Sequence, residues 1–353
     1  MARRAAHLAS ILAVALLAPV LSAIAFAEPR SADRAPPQYR VEFLPNPDPD
    51  PANNPLRPSG INERGTVTGT FDYPYRAFVS NGRRTILLPN LSGKTFGFGE
   101  EINDRGQVAG SSGFDAIEDP QRAVRWVRGQ PQDLGTLGGT DSFGYSINNK
   151  GHVVGGSYVS PSTTDSDPFL WTPSNGMVNL APGPSSGRAF DVNELDEVAG
   201  TDGSTAFLWR DGGLQYLGAP PGFSISSGLA INESGQVAGN VDDPPAGGES
   251  FARHTDGVGW ETFGGRRPQA AFWGINDRGD AVGVGTSGGF DMAFVYIEGE
   301  GLFLLDALLA TDGWTILAAY DINNAGQIAA YASSTQGPPR AGAVRLTPVV
   351  QEP

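Results

Sequence analysis

The run Gly285-Thr286-Ser287-Gly288-Gly289 has the spacing of a nucleophile elbow, the sharp turn that lifts a hydrolase serine clear of its backbone. Overlapping it, Gly283-Val284-Gly285-Thr286-Ser287-Gly288 has the Gly-rich spacing that cradles a dinucleotide pyrophosphate. Both chemistries need a helix directly after the glycines, and the chain instead enters Ala293-Phe294-Val295-Tyr296, a β-type run. Gly93-Lys94-Thr95 ends like a phosphate-binding loop, but Leu88 stands where the first glycine of such a loop belongs. None of these glycines carries the chemistry its spacing suggests.

Other reactive groups are scarce. There is no cysteine, so thiol nucleophiles, disulfides and a lipid-modified N-terminal cysteine are all excluded. Beyond residue 27 the only histidines are His152 and His254, in different repeats, and His152 takes a turn position that Gln107 and Gln236 fill elsewhere. Zinc would lack its usual ligands, so neither a metal nor a cofactor is expected. Carboxylates remain, and a pair of them can cleave glycosidic bonds. Nothing in their spacing selects a pair, so no catalytic residue is assigned and the expectation is a protein that is not an enzyme.

Any functional group must be positioned by a repeat. Ile102-Asn103-Asp104-Arg105-Gly106-Gln107-Val108-Ala109-Gly110 returns in seven versions, whose Asn falls at 62, 103, 148, 193, 232, 276 and 323, at spacings of 39 to 47 residues. In the fourth, Ala189 to Val192 reads as a strand, Asn193 to Asp196 as a turn and Glu197 to Gly200 as a second strand. Thr205 to Trp209 and Leu214 to Leu217 follow as a third and a fourth. The turn has a mechanism: Asn accepts a hydrogen bond from the backbone two residues on, and the fourth position needs positive φ. Gly65, Gly106, Gly151, Gly235, Gly279 and Gly326 fill that position, and Asp196 fills it once.

A second glycine stands seven residues after each Asn, at 69, 110, 155, 200, 239 and 283, with Ala330 closing the series. Crowding of the strands near a central axis is the expected reason. The third strands, such as Pro168-Phe169-Leu170-Trp171 and Ala206-Phe207-Leu208-Trp209, are apolar at consecutive positions, as for strands covered on both faces.

Four strands per unit at this period predict an all-β, seven-bladed β-propeller over residues 39–347. An open solenoid is the competing architecture, but it would need terminal caps and the sequence offers none. The last unit runs out without a fourth strand, and residues 39–44 form a strand without a blade. The two are expected to combine and close the ring. Residues 302–310 read as a short helix before the last blade.

Residues 1–27 have a basic start, an apolar run and a small-residue site at Ala25-Phe26-Ala27, the layout of a signal peptide. A disordered leader over 28–38 and a short tail over 348–353 are expected. The exported chain would be extracellular or periplasmic, without a membrane span, and a monomer. Removing Arg3 and Arg4 leaves 22 basic against 38 acidic side chains, a net charge of −16. Nucleic acid is therefore not an expected partner.

The combination of residues 102–110, Ala206-Phe207-Leu208-Trp209 and Asp133-Leu134-Gly135-Thr136-Leu137-Gly138-Gly139 resembles the HAF repeat of bacterial extracellular repeat proteins. The His of the name-giving triplet is absent, since Arg76, Arg122, Thr205 and Met292 precede Ala77, Ala123, Ala206 and Ala293. The resemblance implies an exported repeat protein and brings no catalytic residues with it.

Function is then sought where the repeats differ. The loops joining second and third strands share one face with the connections between blades, and loops on a rigid scaffold commonly carry binding. They hold Tyr73, Tyr75, Phe114, Asp115, Tyr158, Asp165, Asp167, Asp242, Asp243, Phe290 and Asp291. Aromatic rings beside carboxylates suit a glycan, a cation or an extracellular protein. The reading is a non-catalytic binding scaffold, with a carbohydrate hydrolase or lyase and a structural envelope component as alternatives.

Overall fold

The computed structural model describes residues 36–48, 54–113, 120–162, 165–182, 187–245, 247–335 and 340–349. The seven Asn turns each close a hairpin. In every one the N–H of the fourth residue donates to the Asn carbonyl, as Gly106 does to Asn103 at 2.9 Å. All six glycines at that position have positive φ, and so does Asp196 at 67°. Each turn joins the innermost and second strands of an antiparallel four-stranded sheet, and there are seven such sheets. The chain is a seven-bladed β-propeller.

The innermost strands are Leu56–Ile61, Phe96–Ile102, Ser142–Ile147, Arg188–Val192, Ile225–Ile231, Ala270–Ile275 and Trp314–Ile322. The apolar third strands are sandwiched as expected: Phe78, Phe169, Phe207 and Phe251 are fully buried. The core therefore lies between blades. Val154 and Leu170 of the third blade, for example, pack with Ala189, Val198 and Phe207 of the fourth.

The ring closes with strands from both ends of the chain. Gln38–Phe43 pairs with Arg340–Val349, in a register running from Gln38 opposite Val349 to Phe43 opposite Val344. It forms the outer strand of the blade whose other three strands come from the C-terminal end. Residues 348 and 349 are thus part of this strand and not of a tail. Residues 302–310 hold less helix than expected. Gly301–Leu304 is the fourth strand of the sixth blade, and a single 3-10 turn over Leu305–Leu308 follows, with Leu305 and Leu308 buried. The signal peptide and nearly all of the leader fall outside the described residues.

The second glycine of each repeat has a more local cause than crowding at the axis. Every innermost strand carries a β-bulge just before its turn, as between Gly99 and Glu101 and between Ala189 and Asp191. The bulge bends a carbonyl of that strand toward its neighbour. A Cβ on Gly110 would lie 1.9 Å from the carbonyl oxygen of Phe98, and one on Gly155 would lie 1.8 Å from that of Phe143. In the seventh blade the innermost strand has a second register shift, between Ile316 and Ala318, and Ala330 is accommodated.

Candidate functional site around the axis

The turn asparagines do more than close hairpins. Each side-chain Nδ2 donates to the carbonyl of the next blade's Asn. Asn62 reaches Asn103 at 3.0 Å, Asn103 reaches Asn148 at 2.8 Å and Asn148 reaches Asn193 at 3.0 Å. Asn193 reaches Asn232 at 3.1 Å, Asn232 reaches Asn276 at 3.0 Å and Asn276 reaches Asn323 at 3.3 Å. Asn323 returns to Asn62 at 2.9 Å. The result is a closed circle of hydrogen bonds around the axis.

The next residue makes a second circle. The backbone N–H of Glu63 donates to Asp104 Oδ1, Asp104 to Asn149, Asn149 to Glu194 and Glu194 to Glu233. Glu233 donates to Asp277, Asp277 to Asn324 and Asn324 back to Glu63. Five of the seven acceptors are carboxylates, each serving a backbone donor on the turn face. Burial raises the carboxyl groups of Glu63 and Glu233 above their ordinary range.

Asp196 shows why one turn dispenses with glycine. Its carboxylate accepts from Asn148 Nδ2 at 2.9 Å and Lys150 Nζ at 2.8 Å, and its Oδ1 lies 2.7 Å from His152 Nδ1. Burial raises this acid, but the three hydrogen bonds outweigh burial and hold it below the usual range. His152 thus belongs to a turn-to-turn network. His254 is buried in another blade against Trp260, with ring centroids 5.3 Å apart. The two histidines serve no common site.

At its turn end the axis holds a cavity of about 170 Å³, rimmed by the turn residues and floored by Glu101, Ser146, Asp191 and Asp321, each two residues before a turn Asn. Gly60, Ala230 and Gly274 take the same place in the other three repeats. The three acids alternate with small residues that leave them room, since a Cβ on Gly60 would lie 2.4 Å from Glu101 Oε1. Asp321 accepts the N–H groups of Ile61 and Ile322, each at 2.8 Å. Asp191 accepts Ser146 Oγ at 2.6 Å and the N–H groups of Val192 and Ile231 at 2.8 Å. Glu101 Oε1 accepts the N–H of Ile102 at 2.7 Å.

Burial dominates all three acids. It pushes Asp321 up to about 7 despite two hydrogen bonds that favour the carboxylate. It raises Asp191, and it drives Glu101 well above the carboxylate range, with the charge of Asp321 adding to the effect. All three carboxyl groups are thus shifted toward the protonated form, Asp321 into the neutral range. Among the described residues no group of three or more His, Asp or Glu is arranged to hold a metal ion.

One residue further from the turn, at each bulge, stand Ser59, Glu100, Tyr145, Phe190, Leu229, Trp273 and Tyr320, all half-buried. Tyr145 and Phe190 stack at 5.5 Å between centroids, and Trp273 and Tyr320 pack with Tyr331. By position these seven side chains, four of them aromatic, make a collar one residue nearer the variable loops than the acids.

The loop residues expected to bind are mostly dispersed. Tyr73 and Tyr75 do come together, exposed, around a cavity of about 420 Å³ with Pro74 and Thr95. Asp167 corrects the loop reading: it is buried within the strand Ser166–Thr172 and accepts from Asn179 Nδ2 at 2.6 Å, a structural role. Tyr158 ends the strand Val153–Tyr158 with its ring edge-on to Phe143, and Asp165 is exposed nearby. Asp242 ends the strand Val237–Asp242, and Asp243 lies 3.4 Å from Arg266. Phe290 and Asp291 open the strand Phe290–Ile297, with Asp291 accepting from Thr286 Oγ1. Phe114 and Asp115 lie outside the described residues. The Gly-rich run 283–289 is a strand and hairpin, with no helix after it.

No protein-family model and no curated protein sequence matches the chain. Solved structures share its fold. The structure of virginiamycin B lyase from Staphylococcus aureus superposes with a TM-score of 0.56 at 12% identity, covering 88% of this chain and 99% of that one. The extracellular domain of the hybrid two component system BT4673 from B. thetaiotaomicron gives 0.54 at 10% identity, covering 90% of this chain and 40% of that one. At such identities the similarity concerns the fold alone.

Proposed function

We propose that the chain is an exported, non-catalytic binding scaffold of the HAF-repeat type, which takes a glycan at the loop-face end of its axis. The observation that carries this reading is the collar of Tyr145, Phe190, Trp273 and Tyr320 beside Glu100. Aromatic rings offer stacking surface and carboxylates accept from sugar hydroxyls. Export rests on the signal-peptide layout of residues 1–27. A thermal-shift screen of the mature protein against glycans, calcium and basic peptides tests the reading, with Trp273→Ala as the control. A glycan that stabilises the wild type and not the variant supports it; a screen in which only calcium or peptides act, or nothing does, overturns it.

One observation favours a second reading, a carbohydrate hydrolase or lyase. Glu101, Asp191 and Asp321 face one cavity, and Asp321 is held near 7, a range suited to a general acid. The cavity is smaller than the roughly 300 Å³ at which small-molecule sites begin, which counts against a substrate reaching these acids. Release of reducing ends that is lost in both Glu101→Gln and Asp321→Asn would reverse that preference.

A further inference from the structure

We infer that Tyr73 and Tyr75 form a second subsite, at the rim of the first blade, that stacks one neutral sugar unit of an oligomeric glycan. The inference rests on the axial reading for the glycan class of ligand and adds where the chain of sugars runs.

Three observations carry it. First, Tyr73 is 72% exposed and Tyr75 41%, so one short loop presents two rings to solvent, two residues apart. With Pro74 and Thr95 they wall a cavity of about 420 Å³, within the size range of small-molecule sites.

Second, the loop is held in place at both ends. Arg57 grips Asp72 through two parallel hydrogen bonds of 2.8 Å, and the N–H of Gly97 in the next blade donates to the Tyr75 carbonyl at 3.0 Å. A pre-positioned pair of rings loses little conformational entropy when a ligand arrives.

Third, the lining selects by charge. Tyr73, Pro74, Tyr75 and Thr95 carry none, and the nearby Asp72 is neutralised by Arg57. A charged ligand would gain no counter-ion from these four side chains. A neutral sugar offers an apolar face to the rings and hydroxyls to the phenolic oxygens. The subsite also touches the innermost strand of the next blade. Tyr75 lies 5.6 Å from Phe98, and Phe98 stands two residues, about 7 Å of strand, from Glu100 in the collar.

The test is an array of neutral, acidic and amine-bearing oligosaccharides together with proline-rich peptides, probed with the full mature chain. Tyr73→Ala, Tyr73→Phe, Tyr75→Ala and Trp273→Ala are run in parallel. The expected result is binding of a neutral oligosaccharide that weakens about tenfold in each rim Ala variant, survives in Tyr73→Phe and is lost in Trp273→Ala. If the rim variants bind as the wild type does while Trp273→Ala fails, the rim subsite is wrong and the axial reading stands. If only charged sugars bind, the neutral subsite is overturned and the axial glycan site is kept. Capture of proline-rich peptides alone, or of nothing, overturns both.

Discussion

Asn323 donates its side-chain amide hydrogen to the carbonyl of Asn62, 2.9 Å away and 261 residues earlier in the chain. This is the seventh link of the inner circle and crosses the seam between the last and first blades. Both asparagines are buried, so losing the link leaves polar atoms that water reaches poorly.

Asn323→Ala removes this bond and those that its side chain makes with Gln327. Buried unpaired groups cost about 1 to 3 kcal/mol each, so a loss of about 2 to 4 kcal/mol is expected in urea unfolding. Leu195→Ala, at an exposed turn position, should stay within about 0.5 kcal/mol of wild type.

Two glycines of one repeat separate two kinds of cost. Gly106 has φ of +70° and open space around it, so Gly106→Ala should cost about 1 to 2 kcal/mol for the left-handed backbone. Gly110→Ala places a methyl 1.9 Å from the Phe98 carbonyl oxygen and should cost more than about 3 kcal/mol. Equal midpoint shifts in the two variants would contradict the bulge explanation.

Two acids poorly reached by water set a pH dependence of definite sign. Asp321 is raised to about 7 and Asp306, also by burial, to about 6, so the folded state holds protons that the unfolded state releases from about pH 4 upward. Their contribution is complete below the unfolded value and is lost as pH rises through 6 and 7. Urea midpoints should fall between about pH 5 and about pH 8. Asp321→Asn should flatten this slope, although it costs stability by setting an amide against one backbone N–H.

Asp196 has the opposite sign. Its folded value is depressed, so its stabilisation is present at neutral pH and lost as pH falls through that value. Asp196→Gly relieves the left-handed backbone but removes the partner of Lys150 and His152 and one of the two acceptors of Asn148 Nδ2, for a net loss of about 1 kcal/mol at neutral pH. The deficit should shrink as pH falls through the folded value and turn into an advantage of about 1 kcal/mol below it, where only the relieved backbone remains, as followed by thermal unfolding across pH.

The turn chemistry was legible in the sequence because a local rule governs it: Asn at the first position and positive φ at the fourth repeat seven times. Blade number and ring closure followed from counting strands. The circles of hydrogen bonds were hidden, since six of the seven Asn Nδ2 groups bond 39 to 47 residues away, the seventh bonds 261 residues away, and the same side chain already satisfied a local turn rule. The axial residues were missed for a related reason. Glu101, Asp191 and Asp321 sit among Gly, Ser and Ala in one column of the repeat, a signal visible only once the units are aligned two residues before the Asn. Asp167 misled because a carboxylate beside a variable loop reads as exposed, whereas Asn179 draws it inside the blade.

The pairing of Gln38–Phe43 with Arg340–Val349 also has a temporal side. On the ribosome the first strand emerges long before its partner exists, and the contact that completes the ring spans nearly the whole chain. Contacts of such sequence separation form slowly. Until Arg340–Val349 meets Gln38–Phe43, both strands keep an unpaired edge, and the chain is a broken arc whose exposed strands invite neighbours.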